Sequence, residues 1–465
     1  MTALFLGAYV LLQIAIAAWA ARGTKTDEDY LVAGRTLGVW PIAFSVFATW
    51  FAAETVIATS AEVAADGLAG ARVEPFGYAL GLVVLGTFIA FRLRSEGHMT
   101  LASFLGSRFG PHVEVAAALF TAMSATVWAA AQLSALAVIL SEATGLGTGL
   151  MLIVSTGIVL TYAWVGGLKG DVVTDVLQGG VIILVLLILL VLVFREAGGV
   201  GGAFSAIPEG SLSMKKEGEG WLTRIELWSL PILGTIVSQE VIARTLGARS
   251  PEVARRGTLL GAGLFLLVGM IPVTLGLIGP GLGLELADGD GFFTSLAKTL
   301  LPAWLYVIIA GAMVSAILSS VDSALLAVSA VATENVLAKL RPETNGKARL
   351  VMARTVSACA AVAALAVAAG GDSIRAIVLT GEGIVGLLVI PVLVGLLMPK
   401  GGRIPILMAL ATSLALTAWL DWIAGVPGAF LYALAGGAAA FALGHIALRF
   451  RASPSQPAEH PEVKE

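Results

Sequence analysis

The sequence predicts an all-α polytopic membrane protein on three observations. Hydrophobic residues fill 58% of its 465 positions, charged residues only 13%, and the mean hydropathy is +0.93. An ordinary soluble domain carries about 25% charged residues, so most of this chain is built for lipid. Its 55 glycines suit the close backbone approach of membrane helices, and the single Cys359 excludes an intramolecular disulfide framework.

Apolar runs long enough to cross a hydrocarbon core of about 30 Å, separated by charged or Gly/Pro-rich breaks, define the elements in order. The first, 2–20, lacks the basic leader region of a signal peptide and reads as a retained helix. The second, 39–64, follows "GRTLG" and carries Glu54 and Glu62 among small residues; the third, 74–93, ends at "RLRSEG". The fourth and fifth, 112–141 and 149–166, flank the glycine turn "GLGTG", and the sixth, 172–195, follows "GGLKGD". The seventh, 225–247, contains Pro231 and Gly234; the eighth, 257–280, follows Arg255 and Arg256. The ninth, 302–327, is opened by a proline; the tenth, eleventh, twelfth and thirteenth are 350–369, 374–398, 404–424 and 428–449. The odd-to-even connections collect most of the basic residues, among them Arg22, Arg92, Lys169, Lys347 and Lys400, which places the N-terminus outside and the C-terminus in the cytoplasm. The tail 451–465 is polar and Pro-containing and is expected to be disordered.

Several function classes drop out. Four scattered histidines, with no HExxH, GxSxG or phosphate-binding glycine loop, leave no visible enzyme machinery, and no basic tract points to nucleic acid. The informative residues are polar groups at membrane depth, which are costly unless they line a water path, bind an ion or pair with one another. In "AILSSVDSALLAVSA", Ala316, Ser319, Ser320 and Ser323 recur at i, i+3, i+4 and i+7 and share one helix face, with Asp322 beside them. Such oxygens, supplemented by main-chain carbonyls freed at a break in a facing helix, suit a sodium ion; the alternative is that each serine bonds back to the carbonyl one turn earlier or joins helices.

Three further stretches stand out. "ATWFAAETVIATSAE" puts Glu54 at mid-depth, where a carboxylate costs about 2.5–3.5 kcal/mol and needs a cationic solute, a coupling ion, a proton or a basic partner. "WVGGLKGDVVTDVLQGG" places Asp171 and Asp175 in the opening turns of the sixth span; Asp171 reads as a helix-start acid, while Asp175, one turn deeper, is placed to face the serines. "ELWSLPILGTIVSQEVIARTL" sets Pro231 and Gly234 ahead of Ser238, Gln239 and Glu240, the pattern of an interrupted helix. The second and seventh spans are five helices apart and both read as discontinuous, as in two five-helix units of inverted topology.

These motifs resemble the sodium:solute symporter family over nearly the whole chain: "DYLVAGRTLG", "ATWFAAET", "WVGGLKGDVVTDVLQGG" and the 316–330 stretch each look like a family segment, and the TDxxQ and SSxDS patterns are the most specific. The resemblance implies a leucine-transporter fold and sodium-coupled uptake. On it the chain divides into 1–38, a peripheral helix and cytoplasmic linker; 39–195, the first repeat; 196–224, an extracellular loop; 225–398, the second repeat; 399–450, two peripheral helices; and the tail.

Carried over position by position, the family's main sodium site implies main-chain oxygens of Ala48, Phe51 and Ala316 and hydroxyls of Ser319 and Ser320. A second sodium, held by some members, implies Asp175, Ser319, Asp322 and Ser323. Within the family, "RLRSEGHMT" and "VWAAAQLSAL" look most like the high-affinity choline transporter branch. Trp128 matches an aromatic position of that branch's cation cage, while Ser238 and Ala71 stand where it has other cage residues. Sugar-transporting members have Asn at the position of Ser238 and Gln at that of Thr55, which argues against a sugar.

The sequence therefore leads to a sodium-driven symporter of a prokaryotic inner membrane that imports a small polar organic solute, with Na+, the solute and the lipid bilayer as partners. The expected solute contacts are Glu54, Thr55, Trp128, Ser238, Gln239 and Glu240, whose acidic bias favours an amine or organic cation, a carboxylate being the alternative. A proton-coupled transporter using Glu54 or Asp175 and a membrane sensor or channel stand as the other classes.

Overall fold

The computed structural model describes residues 33–165, 168–337, 340, 346–370, 373–398 and 402–452, together with residues 5, 7, 8, 10–12, 15, 16 and 19 of the first predicted span. Most of that span and the tail beyond 452 lie outside the described residues. The protein is helical, with one isolated backbone bridge and no strand among the described residues.

In chain order the α-helices are α1 (Val39–Trp50), α2 (Ala53–Asp66), α3 (Tyr78–Val84), α4 (Ala90–Glu96), α5 (Leu101–Phe109), α6 (Pro111–Thr144), α7 (Thr148–Val165), α8 (Leu168–Glu196), α9 (Val200–Ala206), α10 (Trp221–Val237), α11 (Gln239–Leu246), α12 (Pro251–Ile278), α13 (Phe292–Leu300), α14 (Ala303–Ala332), α15 (Gly346–Ala368), α16 (Ile374–Gly386), α17 (Val389–Leu397), α18 (Arg403–Thr417) and α19 (Ala429–Ala452). Among the described residues ten helical stretches are long and apolar enough to cross a membrane, joined by the shorter apolar helices Val39–Trp50 and Thr148–Thr161. The thirteen spans read from the sequence do not map one to one onto that count. The second is split, and its outer part runs through 3-10 and π turns into the third, so 55–96 forms one helical stretch. The segment 196–224, read as a loop, carries the short helix α9.

Local chemistry sets the helix ends. Thr100, Ser250 and Ser373 cap α5, α12 and α16 by accepting from the backbone N–H three residues on. Pro111 and Pro251 open α6 and α12, where a missing N–H costs nothing. Gly145, at φ 74°, closes α6 in the left-handed conformation that favours glycine. The centre of the bundle is α14: 78% of its most apolar window is buried, against 28% and 22% for the windows at α18 and α19, so the last two helices are peripheral. α14 packs on α6, α8 and α15, and α1 packs on α12, α8 and α14.

Two helices at the core are broken. α1 stops at Trp50; Phe51 still donates its N–H to the Phe47 carbonyl (2.8 Å), but its φ/ψ of −88°/72° and the extended Ala52 turn the chain before α2 begins. α10 stops at Val237, Ser238 is extended (φ −67°, ψ 124°), and α11 resumes the path. The far ends of the two are tied where Leu37 and Ala248 form a parallel bridge, with Leu37 donating to the Gly247 carbonyl and accepting from Arg249.

Outside the bundle, Arg72 pairs bidentately with Glu219 at 2.6 and 2.8 Å, holding the 207–220 segment against the turn after α2. The Arg72 hydrogen bond holds the Glu219 carboxyl below its ordinary range. A depressed carboxylate adds stability that is present above its unfolded pKa and lost as the pH falls through its folded value. Glu219→Gln is therefore expected to lower the melting temperature at neutral pH and to leave it nearly unchanged at acid pH, in paired thermal-unfolding scans.

Candidate functional site

The breaks leave main-chain carbonyls without helical partners, because the last four C=O groups of a helix have no N–H one turn ahead. In the last turn of α1 the Thr49 carbonyl accepts from the Ser320 hydroxyl at 3.4 Å, and the Trp50 carbonyl accepts from Thr55 at 2.9 Å. Ala48 and Phe51 belong to the same turn, both buried. Across from it Ala316, Ser319 and Ser320 of α14 are also buried. The structure thus brings the five residues of the first implied ion site onto one α1–α14 junction. Their donor set, main-chain carbonyls and aliphatic hydroxyls, is the chemistry a hard cation takes.

The serine face divides by partner. Ser323 bonds back to the Ser319 carbonyl at 2.8 Å, the ordinary behaviour of a membrane serine. Ser319 and Ser320 instead reach other helices: Ser319 donates to Asp175 Oδ1 and Ser320 to α1.

Asp175 of α8, fully buried, also accepts from Ser45 of α1 at 2.6 Å. Beside it lies Arg244 of α11, 1% exposed, whose Nη2 is 3.8 Å from Asp175 Oδ2 and donates to Ser323, whose Nε donates to Ser45 at 3.1 Å, and whose Nη1 donates to the Glu240 carbonyl at 2.9 Å. The residues of the second implied ion site, Asp175, Ser319 and Ser323, thus surround a guanidinium, and Asp322 is buried on the same helix. Neither Arg244 nor Ser45 was singled out from the sequence. The signal for Arg244 was available in "QEVIARTL", a basic residue inside an apolar span at i+4 from Glu240.

The expected solute residues are placed unevenly. Trp128 of α6 meets Trp50 edge-on, ring centroids 5.5 Å apart, and Trp50 in turn contacts Tyr78 at 5.6 Å and donates its indole N–H to Thr235 at 3.1 Å. Thr55 and Ser238 lie at the two breaks, and Ser238 donates to the Glu240 carboxylate. Gln239 turns elsewhere: its Oε1 accepts from the backbone N–H of Leu101 at 2.9 Å, tying α11 to α5. Glu54 stands in the first turn of α2; its side chain lies outside the described residues.

Sequence reading also passed over Glu382 of α16, although its setting between two glycines in mid-span marks it. Its Oε2 stands where a Cβ on Gly234 would have to be, so a larger residue there would push the Glu382 carboxylate out of its place between α16 and α10. Gly234→Ala is expected to destabilise the protein by about 1–3 kcal/mol, read as a lowered unfolding midpoint.

Two broken helices line a buried polar junction inside a bundle of membrane-length helices, an arrangement that membrane folds of the broken-helix transporter type share. The comparisons with known proteins agree. The model of the sodium:solute symporter family matches residues 30–399, and the chain belongs to that family. It is 27% identical to the high-affinity choline transporter 1 of Drosophila melanogaster over 343 residues, which cover 70% of this chain and 55% of that protein. It is 24% identical to the sodium/proline symporter of Escherichia coli over 386 residues, covering 78% and 76%. The chain thus spans about half the length of the Drosophila relative.

Among solved structures it superposes on an outward-open, substrate-bound Na+-coupled sialic acid symporter with a TM-score of 0.83 at 17% identity, covering 97% of this chain and 98% of that one. It superposes on the nucleobase-cation-symport-1 family transporter Mhp1, closed around bromovinylhydantoin, with a TM-score of 0.60 at 14% identity, covering 92% and 95%. The fold is the leucine-transporter fold expected from the sequence. Family membership likewise agrees with a transporter rather than an enzyme.

Proposed function

We propose that the chain is a sodium-driven symporter that imports a small polar organic solute across the plasma membrane by alternating access, with its N-terminus outside, its C-terminus cytoplasmic, and 39–195 and 225–398 as the two inverted units. The observation that carries this reading is the α1–α14 junction, where the interrupted helix presents its Thr49 carbonyl to Ser320, one residue from Ser319. A sodium ion held by Ala48, Phe51, Ala316, Ser319 and Ser320 would bridge the moving unit that holds α1 to α14, stabilise one arrangement of the two, and so raise solute affinity between the breaks. Linkage then requires that solute tighten sodium binding by the same factor. Low internal sodium drives the ion out and completes the cycle. Whether Asp175, Ser319, Asp322 and Ser323 take up a second sodium as the cycle proceeds is read by the sodium stoichiometry of uptake.

Asp175 argues against the proton-coupled reading, because protonating it would leave the buried Arg244 guanidinium without its carboxylate. The test is uptake into proteoliposomes under an imposed sodium gradient and, separately, under a pH gradient alone. The solute is first chosen by a thermal-shift screen of amines, amino acids and organic acids, each with and without sodium. Accumulation that follows sodium supports the reading; accumulation that follows the pH gradient without sodium overturns it.

A further inference from the structure

The residues around Glu382 carry a second specification, of the solute itself. Glu382 is 5% exposed, on a helix packed against α6 and α10, and its Oε2 has no hydrogen-bond partner in the structure. Two other buried carboxylates lie near enough for their charge to act on it: Glu240, just past the α10–α11 break, and Glu74, which accepts from Thr59 at 3.5 Å. The Tyr78 hydroxyl lies against the same carboxylate. Arg375, with Nη1 3.6 Å from Glu62 Oε2, also acts on Glu74, and Arg244 acts on Glu240, so Glu382 is the member of the three with no basic group named beside it.

A second orphan comes from a different helix. Gln132 of α6 is fully buried, and neither its Nε2 nor its Oε1 has a hydrogen-bond partner. It continues the stripe of Ser124 and Trp128 at four-residue spacing, and this stripe faces α16: the Ser124 hydroxyl donates to the Gly381 carbonyl at 2.8 Å, next to Glu382. A buried polar atom without a partner in the protein calls for water or a ligand group to satisfy it. Glu382 reaches Gly234, one turn before the α10 break, its neighbour Gly381 lies against the Trp128 backbone, and Gln132 is one turn beyond Trp128 on α6.

We propose that Glu382 and Gln132 form the recognition site for a positively charged nitrogen of the solute that still bears N–H, a primary, secondary or tertiary amine rather than a quaternary ammonium. An excess of carboxylate at membrane depth selects a cation, and the rings of Trp50 and Trp128 add cation–π attraction for any cation, methylated or not. The distinguishing requirement is the acceptor on Glu382: among the groups on the charged nitrogen only an N–H can donate to it, and a trimethylated nitrogen cannot. This inference rests on the symport reading, since it assumes that the solute binds between the breaks.

The test holds charge constant and varies N–H. Purified full-length protein in sodium buffer is titrated with 2-aminoethanol and its N-methyl, N,N-dimethyl and N,N,N-trimethyl derivatives, the last being choline, and the unfolding midpoint is followed. The expected result is stabilisation by the first three and affinity at least tenfold weaker for choline. Glu382→Gln is expected to lose at least tenfold affinity for the amines, and Glu382→Asp to keep part of it, while both keep the shift produced by sodium alone, which shows that they are folded. Choline binding as tightly as the dimethyl compound, no binding of any of the four, or full amine affinity in folded Glu382→Gln would each overturn the proposal. Loss of the sodium-only shift in the unsubstituted protein would instead sink the symport reading.

Discussion

Arg244→Ala is expected to destabilise the protein by about 3–5 kcal/mol, the cost of breaking a buried ion pair from one side. The magnitude follows from where the guanidinium sits: it is 1% exposed and serves Ser45 of α1, Ser323 of α14 and the Glu240 carbonyl of its own helix, beside Asp175 of α8. Deleting it removes the guanidinium from beside a fully buried carboxylate. The double variant Arg244→Met with Asp175→Asn removes both charges and is expected to recover at least half of the loss, because no uncompensated charge remains. Thermal unfolding of the single and double variants in detergent measures both. A single variant within about 1 kcal/mol of the unsubstituted protein would show that the pair contributes no such energy.

This cluster also shows what the sequence could and could not tell. The break in the second span was legible from the likeness of "ATWFAAET" to the family's interrupted helix, since no proline or glycine marks the turn at Phe51 and Ala52. The break at Ser238 was legible from Pro231 and Gly234, which mark a helix free to bend, although the chain turns four residues after the glycine rather than at either residue. The common face of Ala316, Ser319 and Ser320 followed from helical spacing alone.

Partners across the bundle were not legible. Ser45 and Asp175 are 130 residues apart, and Arg244 and Ser323 are 79 apart. No periodicity within one helix reports which face another helix will cover. Gln239 was missed in the other sense: its polarity in mid-span drew attention, but its acceptor is spent on holding the start of α5. Glu382 was marked in the sequence by its two flanking glycines in mid-span, but its neighbours Gly234, Glu240 and Glu74 come from other helices and appear only in the fold.

Ser319→Ala with Ser320→Ala is expected to abolish stabilisation by sodium while leaving the protein inserted in the membrane. Each substitution removes one hydroxyl from the five oxygens implied for the ion, and the three main-chain carbonyls that remain are too few to replace a hard cation's water shell. At sodium concentrations about 100 times the dissociation constant, a bound ion stabilises the folded state by about 2.7 kcal/mol, and that increment is the quantity expected to vanish. Ser319 has a second role, since it also donates to Asp175, so its loss should lower the sodium-free melting temperature as well. Ser320, which donates to the Thr49 carbonyl at 3.4 Å, serves as the cleaner probe: Ser320→Ala alone should weaken sodium binding with little change in the sodium-free midpoint. Sodium titrations of unfolding for the two single variants and the double variant separate these contributions. A double variant that keeps the full sodium shift would place the ion away from α14, and the coupling argued from this junction would fall with it.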